Sequence, residues 1–322
     1  MSRADEVERD ARLLFDNLMG PGVFYRLERH HWMDLWRMPV FEAIEDCGIE
    51  MRRYGPILGF VIADEPQASQ FNLLLGAARP GVVESGLLGE ALDWTESLRV
   101  DCRIPIRPDL GEPDAAEAQL AGRGYRPAAA SAMFVRSRVP PDFPVPPGIQ
   151  VEELSEEIEG FTDFHLPRDK HGFSTADSFL VGLPAHRDWR CYLAIDENGV
   201  AIASAAMMWH YEAAQLAFAA TGDLVRGKGA HLALLHRRIS DALAAGADQL
   251  FAITEESLDF PNDLSAGARN LIRAGFRLAG TRAVWRPPAE LVAGDADEDD
   301  DELDDWDRDD AIGDDHDFKL EG

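Results

Sequence analysis

Seven residues recur at a fixed distance. Leu120–Arg126 reads Leu-Ala-Gly-Arg-Gly-Tyr-Arg, and 151 positions later Leu271–Arg277 reads Leu-Ile-Arg-Ala-Gly-Phe-Arg. Each copy has the form of a helix ending in glycine, where a left-handed residue closes the last turn and an apolar residue beyond it folds back. Both copies lead into a short apolar strand, Ala132–Val135 and Ala283–Trp285, and the same offset sets Val100–Ile106 against Phe251–Ser257. Between the copies, Pro140–Pro147 holds five prolines in eight residues, which can continue neither a helix nor an inner strand. A chain divided in this way is expected to fold as two copies of one unit joined by an extended connector. The alternative is a helix cap that recurs without a duplication.

The second half has the clearer periodicities. Ile149–Leu154 reads as a first strand, followed by Ser155 as a helix N-cap with Glu156 and Glu157 in its first turn. Trp189–Ile195 is a strand stopped by Asp196-Glu197-Asn198-Gly199, whose Asn-Gly ending signals a hairpin, and Val200–Trp209 and Ala213–Thr221 follow as antiparallel strands. His231–Ala244 carries Leu232, Leu235, Ile239 and Leu243 at helical spacing. Gln249–Ile253 is a further strand and Ser265–Arg273 a further helix. The fold class is therefore mixed α/β (α+β), each unit a mostly antiparallel sheet flanked by helices rather than a doubly wound one.

Between the strand that ends at Thr221 and the helix that begins near His231 stands Arg226-Gly227-Lys228-Gly229-Ala230-His231. Glycines there let the backbone approach a ligand at positive φ, and the first turn of a helix aims unpaired N–H groups at it, so a phosphorylated cofactor is expected. A dinucleotide site would need G-x-G-x-x-G with a later acidic residue, and a P-loop would need G-K-[ST]; neither pattern is present. This short loop resembles the pyrophosphate loop of the GNAT (Gcn5-related N-acetyltransferase) superfamily. Arg226–Gly229 match its motif, and His231 departs from it, standing where Gly or Ala is usual. Gln249–Ile253 looks like the strand that splays from its neighbour to admit pantetheine, and Gly275-Phe276 with Thr281–Trp285 resembles the closing turn and last strands. The resemblance covers about Ile149–Arg286.

With the repeat, the resemblance implies two tandem GNAT-like domains: a degenerate one over 1–139, a Pro-rich linker over 140–148 and an acetyltransferase domain over 149–288, with an acidic tail over 289–322 expected to be disordered. At the same offset Leu75-Gly76-Ala77-Ala78 stands opposite the glycine loop without its pattern. The first half is thus expected to have lost cofactor binding and to help wall the acceptor pocket. The resemblance further implies acetyl-CoA as acyl donor. The backbone of Ala219, Ala220 and Thr221 would hold pantetheine and supply an oxyanion donor; Arg226, Gly227, Lys228, Gly229, Ala230 and His231 would hold the pyrophosphate. Asn270 either reaches the cofactor or is a surface residue.

The acceptor is expected to be a small-molecule or peptide amine, with Glu255 as the candidate catalytic base acting through a water. The other reading makes Glu255 and Glu256 exposed loop carboxylates. Together with Asp259 and Asp263 they are compatible with a cationic acceptor. The family often protonates the thiolate with a tyrosine one turn before the Gly-Phe turn; here that position is Leu271, and no tyrosine follows Tyr211. A non-catalytic acyl-CoA-binding or protein-interaction module remains the rival reading, and a glycine loop that merely caps a helix is a third.

The formal charge is -28, half of it from Gly294–Gly322, where 16 acidic residues face only Arg308 and Lys319. A field of that sign argues against nucleic acid or an anionic membrane as a partner, while a local pair such as Arg226 and Lys228 suffices for a diphosphate. The three cysteines, Cys47, Cys102 and Cys191, lack metal-site spacing; Cys102 and Cys191 read as core residues. Met1–Asp16 has no apolar core of a signal peptide, and a cytosolic location is expected.

Overall fold

The computed structural model describes residues 20–37, 48–108, 111–154, 182–210, 212–222 and 226–293. The helix cap expected at Ser155 and the acidic segment Gly294–Gly322 lie outside these described residues. In chain order the elements are α1 (Gly20–Leu35), β1 (Ile49–Tyr54), β2 (Ile57–Ile62), β3 (Leu73–Leu75), α2 (Leu87–Ser97), β4 (Ile104–Ile106), α3 (Pro113–Gly122) and β5 (Arg126–Ser137). Then come β6 (Gln150–Leu154), β7 (Trp189–Ile195), β8 (Ala201–His210), β9 (Ala213–Thr221), α4 (Ala230–Ala244), β10 (Gln249–Glu256), α5 (Ala266–Arg273) and β11 (Arg277–Arg286). Strands β1-β2-β3 form one sheet and β4-β11-β5-β10-β9-β8-β7-β6 another, with a parallel bridge from Leu73 to Arg103 between them.

Both copies of the repeat fold as helix, glycine turn and strand. Gly124 and Gly275 close α3 and α5 at φ 84 and 81, and the aromatics that follow, Tyr125 and Phe276, are buried. The strands β5 and β11 pair antiparallel with Ser131 opposite Arg282, two positions that are themselves 151 apart. An approximate two-fold axis therefore passes between them: Thr281 faces Ala132 and Ala283 faces Ala130, each pair the mirror of the other under the offset. The last strand of each half also pairs with the other half, β5 with β10 and β11 with β4. This exchange makes one continuous sheet out of two sequence repeats. It also lengthens β5 from the four residues that apolar content alone marks to twelve, because pairing with β11 recruits the start of the strand and pairing with β10 its end.

Alternation along the strands assigns two cores to the large sheet. Ala132 and Phe134 of β5, Tyr192 and Ala194 of β7, and Leu250 and Ala252 of β10 face α4 and α5. Met133, Val135 and Phe251 face the other way, where α1 brings Phe24 and Leu27. Further along α1, Trp32, Leu35 and Trp36 pack between Phe60 and Ile62 of the small sheet and Trp189, Cys191 and Met208 of the large one. α1 is thus the helix that both sheets share. Cys102 and Cys191 are fully buried, as their apolar surroundings imply. The Pro-rich stretch carries no helix or strand, and Phe143 within it packs edge-on against His236 of α4 at 5.5 Å.

Candidate active site

β9 and β10 run parallel, but their pairing covers only Ala213–Leu216 against Gln249–Ala252. Beyond Leu216 the two strands part, which opens a V in the middle of the sheet. At its apex β9 carries a bulge: Ala217 faces Ala206, Ala220 faces Ser204, and Phe218 between them holds φ 44. A left-handed bulky residue is rare and costs on the order of 1–2 kcal/mol, and here it breaks the alternation of the strand. Ala214 and Leu216 face α4, whereas Ala217 and Phe218 both turn to the α1 side.

Arg238 of α4 sits beneath this bulge. It is 1% exposed and donates to the carbonyls of Leu234, Ala206 and Ala217 at 3.2, 3.1 and 3.4 Å. Burial lowers its pKa to about 10. The guanidinium thus holds the facing pair Ala206 and Ala217 from behind, immediately before the strained residue.

On the α1 side of the V lies a cavity of about 200 Å³, lined by β9 from Gln215 to Phe218, by Ile253 and Glu255 of β10, and by Glu28, His31 and Trp32 of α1. Two ion pairs cross it. Arg282 forks onto Glu28 at 2.7 and 2.5 Å and donates to Ser131 Oγ at 3.2 Å, with the two charged side chains 7% and 3% exposed. Arg103 donates to Glu255 at 2.6 Å and to the carbonyl of Gln70 at 2.8 Å. His31 is 4% exposed, and its Nδ1 has no hydrogen-bond partner among the described residues. Burial pushes its pKa down to about 4, against the pull of nearby Glu28, so the ring is neutral at pH 7.

The glycine loop follows β9 in the chain and leads into α4. Gly227 and Gly229 hold φ 83 and 93, and Gly229 is the N-cap of α4 with no side-chain cap on the first-turn N–H groups. Arg226 and Lys228 are exposed beside it. The two glycines are not equivalent. A Cβ on Gly227 would meet nothing within 4 Å, whereas one on Gly229 would stand 2.5 Å from Cγ of Pro146. The bare α-carbon of Gly229 is therefore needed by the packing of the Pro-rich stretch itself, a role that sequence does not separate from ligand binding.

His231 and Asn270 are brought together, with Asn270 Nδ2 3.0 Å from His231 Nδ1. Burial lowers His231 to about 4, with Arg238 adding to the effect. Neutral His231 then accepts from Asn270, a bond that ties α5 to the first turn of α4. Ala219, Ala220 and Thr221 line up past the bulge, on the stretch where β10 has diverged.

Of the carboxylates grouped by sequence, only Glu255 lines the cavity, and it is held by Arg103. Glu256 instead accepts from the backbone N–H and hydroxyl of Ser265, both at 2.7 Å, and anchors the N-cap of α5. Leu271 is packed in the core. Sequence reasoning did not reach His31, Glu28, Arg103, Arg282, Phe218 or Arg238. For Arg238 a signal existed, since it stands one position before Ile239 and three after Leu235 on the apolar stripe of α4.

The corresponding cleft in the first half is nearly closed. About 20 Å³ remains between Leu75–Ala78 and Pro105, and Tyr25 of α1 occupies the rest, its hydroxyl donating to the carbonyl of Pro56 at 3.2 Å. A Cβ on Gly76 would stand 2.8 Å from that hydroxyl oxygen. Glu28 and Arg282 border both clefts, so their ion pair is the wall between them. Among the described residues no helix is long and apolar enough to cross a membrane.

No protein-family model matches the chain, and no curated protein sequence does so either. Solved structures do. The chain is similar to a GCN5-related N-acetyltransferase from Sphaerobacter thermophilus, with TM-score 0.54 and 16% identity over 74% of this chain and 78% of that one. It is similar to a GCN5-related N-acetyltransferase from Kribbella flavida, with TM-score 0.52 and 14% identity over 82% and 95%. A tandem GNAT protein from the clavulanic acid biosynthesis pathway matches with TM-score 0.50 and 13% identity over 75% and 79%. At these identities the likeness establishes the fold, and with the exchanged strands and the splayed β9 and β10 it follows that this chain has the GCN5-related N-acetyltransferase fold in its tandem form.

Proposed function

We propose that the chain is an acetyl-CoA-dependent N-acetyltransferase whose donor is held by the second half. One observation carries the reading: β9 leads from the bulge at Phe218, where the cavity opens, to Thr221, and the uncapped N-terminus of α4 follows it in the chain at Gly229. A long, flexible donor with phosphates at one end and a thioester at the other fits that path. The first-turn N–H groups at Ala230 and His231, with Lys228 and Arg226, would hold the diphosphate. The backbone of Ala219, Ala220 and Thr221, past the last residue paired with β10, would hold the pantetheine arm. The thioester supplies an activated acyl group at the cavity mouth, and a backbone N–H turned by the bulge is the candidate donor to its carbonyl oxygen.

Within the cavity Glu255 is the candidate acceptor of the amine proton through a water, and Arg103 fixes its position. Asn270 acts here through His231, orienting the first turn of α4 rather than touching the donor. A cytosolic location follows as part of the same proposal.

Calorimetry of acetyl-CoA with the full chain and with Lys228→Glu tests the reading. Lys228 is exposed, so the exchange leaves the packing alone. A charge about 4 Å from another is worth about 1 kcal/mol in water, so reversing the sign should weaken binding by about 2 kcal/mol, roughly thirtyfold. Binding that is absent in both proteins, or equal in both, would remove the donor from this loop. The missing tyrosine at Leu271 favours a second reading, a non-catalytic acyl-CoA-binding module. That version expects acetyl-CoA binding but no thiol release above the rate in buffer with any amine.

A further inference from the structure

Among the described residues that line the cavity, both carboxylates are paired. Glu28 is matched by Arg282 and Glu255 by Arg103, and both guanidinium groups are also engaged by Ser131 or a backbone carbonyl. Among the described residues an ammonium group entering this space would find no unpaired carboxylate, whereas a neutral amine needs none. The excess of carboxylates read from the sequence is thus no argument for a cationic acceptor, because Glu256 is spent on Ser265 and Glu255 is paired.

The wall toward α1 is built of rings. His31 stacks on Phe218 at 5.5 Å and an interplanar angle of 30°, and Trp32 stands edge-on to His31 at 5.4 Å. Phe218 reaches this wall only through its strained backbone, and strain of that kind persists where the surrounding structure has a use for it. The space is about 200 Å³ and open to solvent on one side, and roughly 150 Å³ is enough for a benzene ring, so one ring with a small substituent fits within it. In that wall the buried Nδ1 of His31 has no partner among the described residues, and with the ring proton on Nε2 its lone pair is free to accept one hydrogen bond from a ligand.

We propose that the acceptor is an uncharged arylamine, its ring against Trp32 and Phe218 and its amino N–H donated to His31 Nδ1. The proposal rests on the transferase reading above. An arylamine is already neutral at pH 7, so its nitrogen lone pair can attack the thioester carbonyl carbon without prior loss of a proton. As the C–N bond forms, the C–S bond breaks and sulfur leaves as the thiolate. The proton lost from nitrogen ends on sulfur, giving an amide and a free thiol. His31 is a positioning residue here, and Glu255, the more exposed of the two cavity carboxylates, is the candidate to pass the proton to water.

The test compares aniline with cyclohexylamine, spermidine and glycine, by thiol release from acetyl-CoA and by direct calorimetry on the full chain. Aniline should exceed each of the others at least tenfold in kcat/KM. His31→Phe keeps a ring in the wall and removes the acceptor atom, so it should weaken aniline binding about tenfold and leave N,N-dimethylaniline, which has no N–H to donate, unchanged. Acetyl-CoA binding with preference for a cationic or zwitterionic amine overturns the arylamine assignment and leaves the transferase reading standing. Equal losses for aniline and its dimethyl derivative overturn the role of His31. Absence of acetyl-CoA binding overturns the transferase reading, and the acceptor assignment falls with it.

Discussion

Removing the Glu28 carboxylate should damage the fold more than removing the whole ion pair. Glu28 and Arg282 are 3% and 7% exposed and meet through two contacts of 2.7 and 2.5 Å. In Glu28→Leu the guanidinium stays buried, keeps only Ser131 Oγ at 3.2 Å, and loses the charge that offset its desolvation. Breaking a buried pair from one side costs about 3–5 kcal/mol, whereas replacing both partners by apolar side chains of similar size is often neutral. Glu28→Leu with Arg282→Met should therefore recover to within about 1 kcal/mol of the parent, a rescue of roughly 2–4 kcal/mol relative to Glu28→Leu alone by a change in the other repeat. Urea unfolding at pH 7, followed by tryptophan fluorescence, measures all four proteins of the cycle. A double variant as unstable as Glu28→Leu, or more so, refutes the reasoning. It would mean that shape at the wall between the clefts, rather than charge balance, holds this junction.

Acid should begin to weaken the protein below about pH 6.5. Burial holds His31 at about 4 in the folded chain against 6.5 for an ordinary histidine, so between those values only the unfolded chain takes up the proton. The contribution of His31 is then full above about pH 6.5 and falls toward pH 4 by up to about 1.4 kcal/mol per unit, beside a similar one from His231, and His31→Gln should flatten the curve between pH 6 and 5 by the His31 share. An unchanged slope would count against a neutral, buried His31. The two loop glycines should also part company in urea unfolding. Gly227→Ala meets open space and should cost only the left-handed penalty of about 1 kcal/mol, while Gly229→Ala, pressed on Pro146, should cost at least 1 kcal/mol more; equal losses would contradict the packing role of Gly229.

Much of this architecture was legible locally. Trp189–Ile195 and Ala213–Thr221 have the bounds that their apolar pattern marks, and Ser265 caps α5 through its hydroxyl, which accepts from the Ala268 N–H at 3.0 Å. The repeated Leu-x-x-x-Gly-aromatic motif marked both helix ends. What the pattern could not convey was long-range. Nothing in Arg126–Ser137 says that it inserts between β10 and β11, because exchange within a duplicated fold preserves every local signal. The bulge at Phe218 is equally silent, since an alanine-rich strand looks regular until its partners shift register. The site residues of α1 were missed because Glu28 and His31 acquire their meaning only from Arg282, Phe218 and the cavity they enclose, all distant in sequence. Conversely, the carboxylates of Glu255–Asp263 suggested an acidic pocket by proximity alone, and capping and ion pairing consumed the two nearest the cavity.

Amide hydrogen exchange on the intact chain, with and without acetyl-CoA, tests the central claim most directly, because it reports on backbone N–H groups themselves. The account expects slowed exchange at Ala219–Thr221 and at Ala230–Leu232, the two stretches that would carry the donor. It expects no slowing at Gly76–Ala78, where Tyr25 fills the matching cleft. Protection confined to the first half, or no protection at the start of α4, would contradict it.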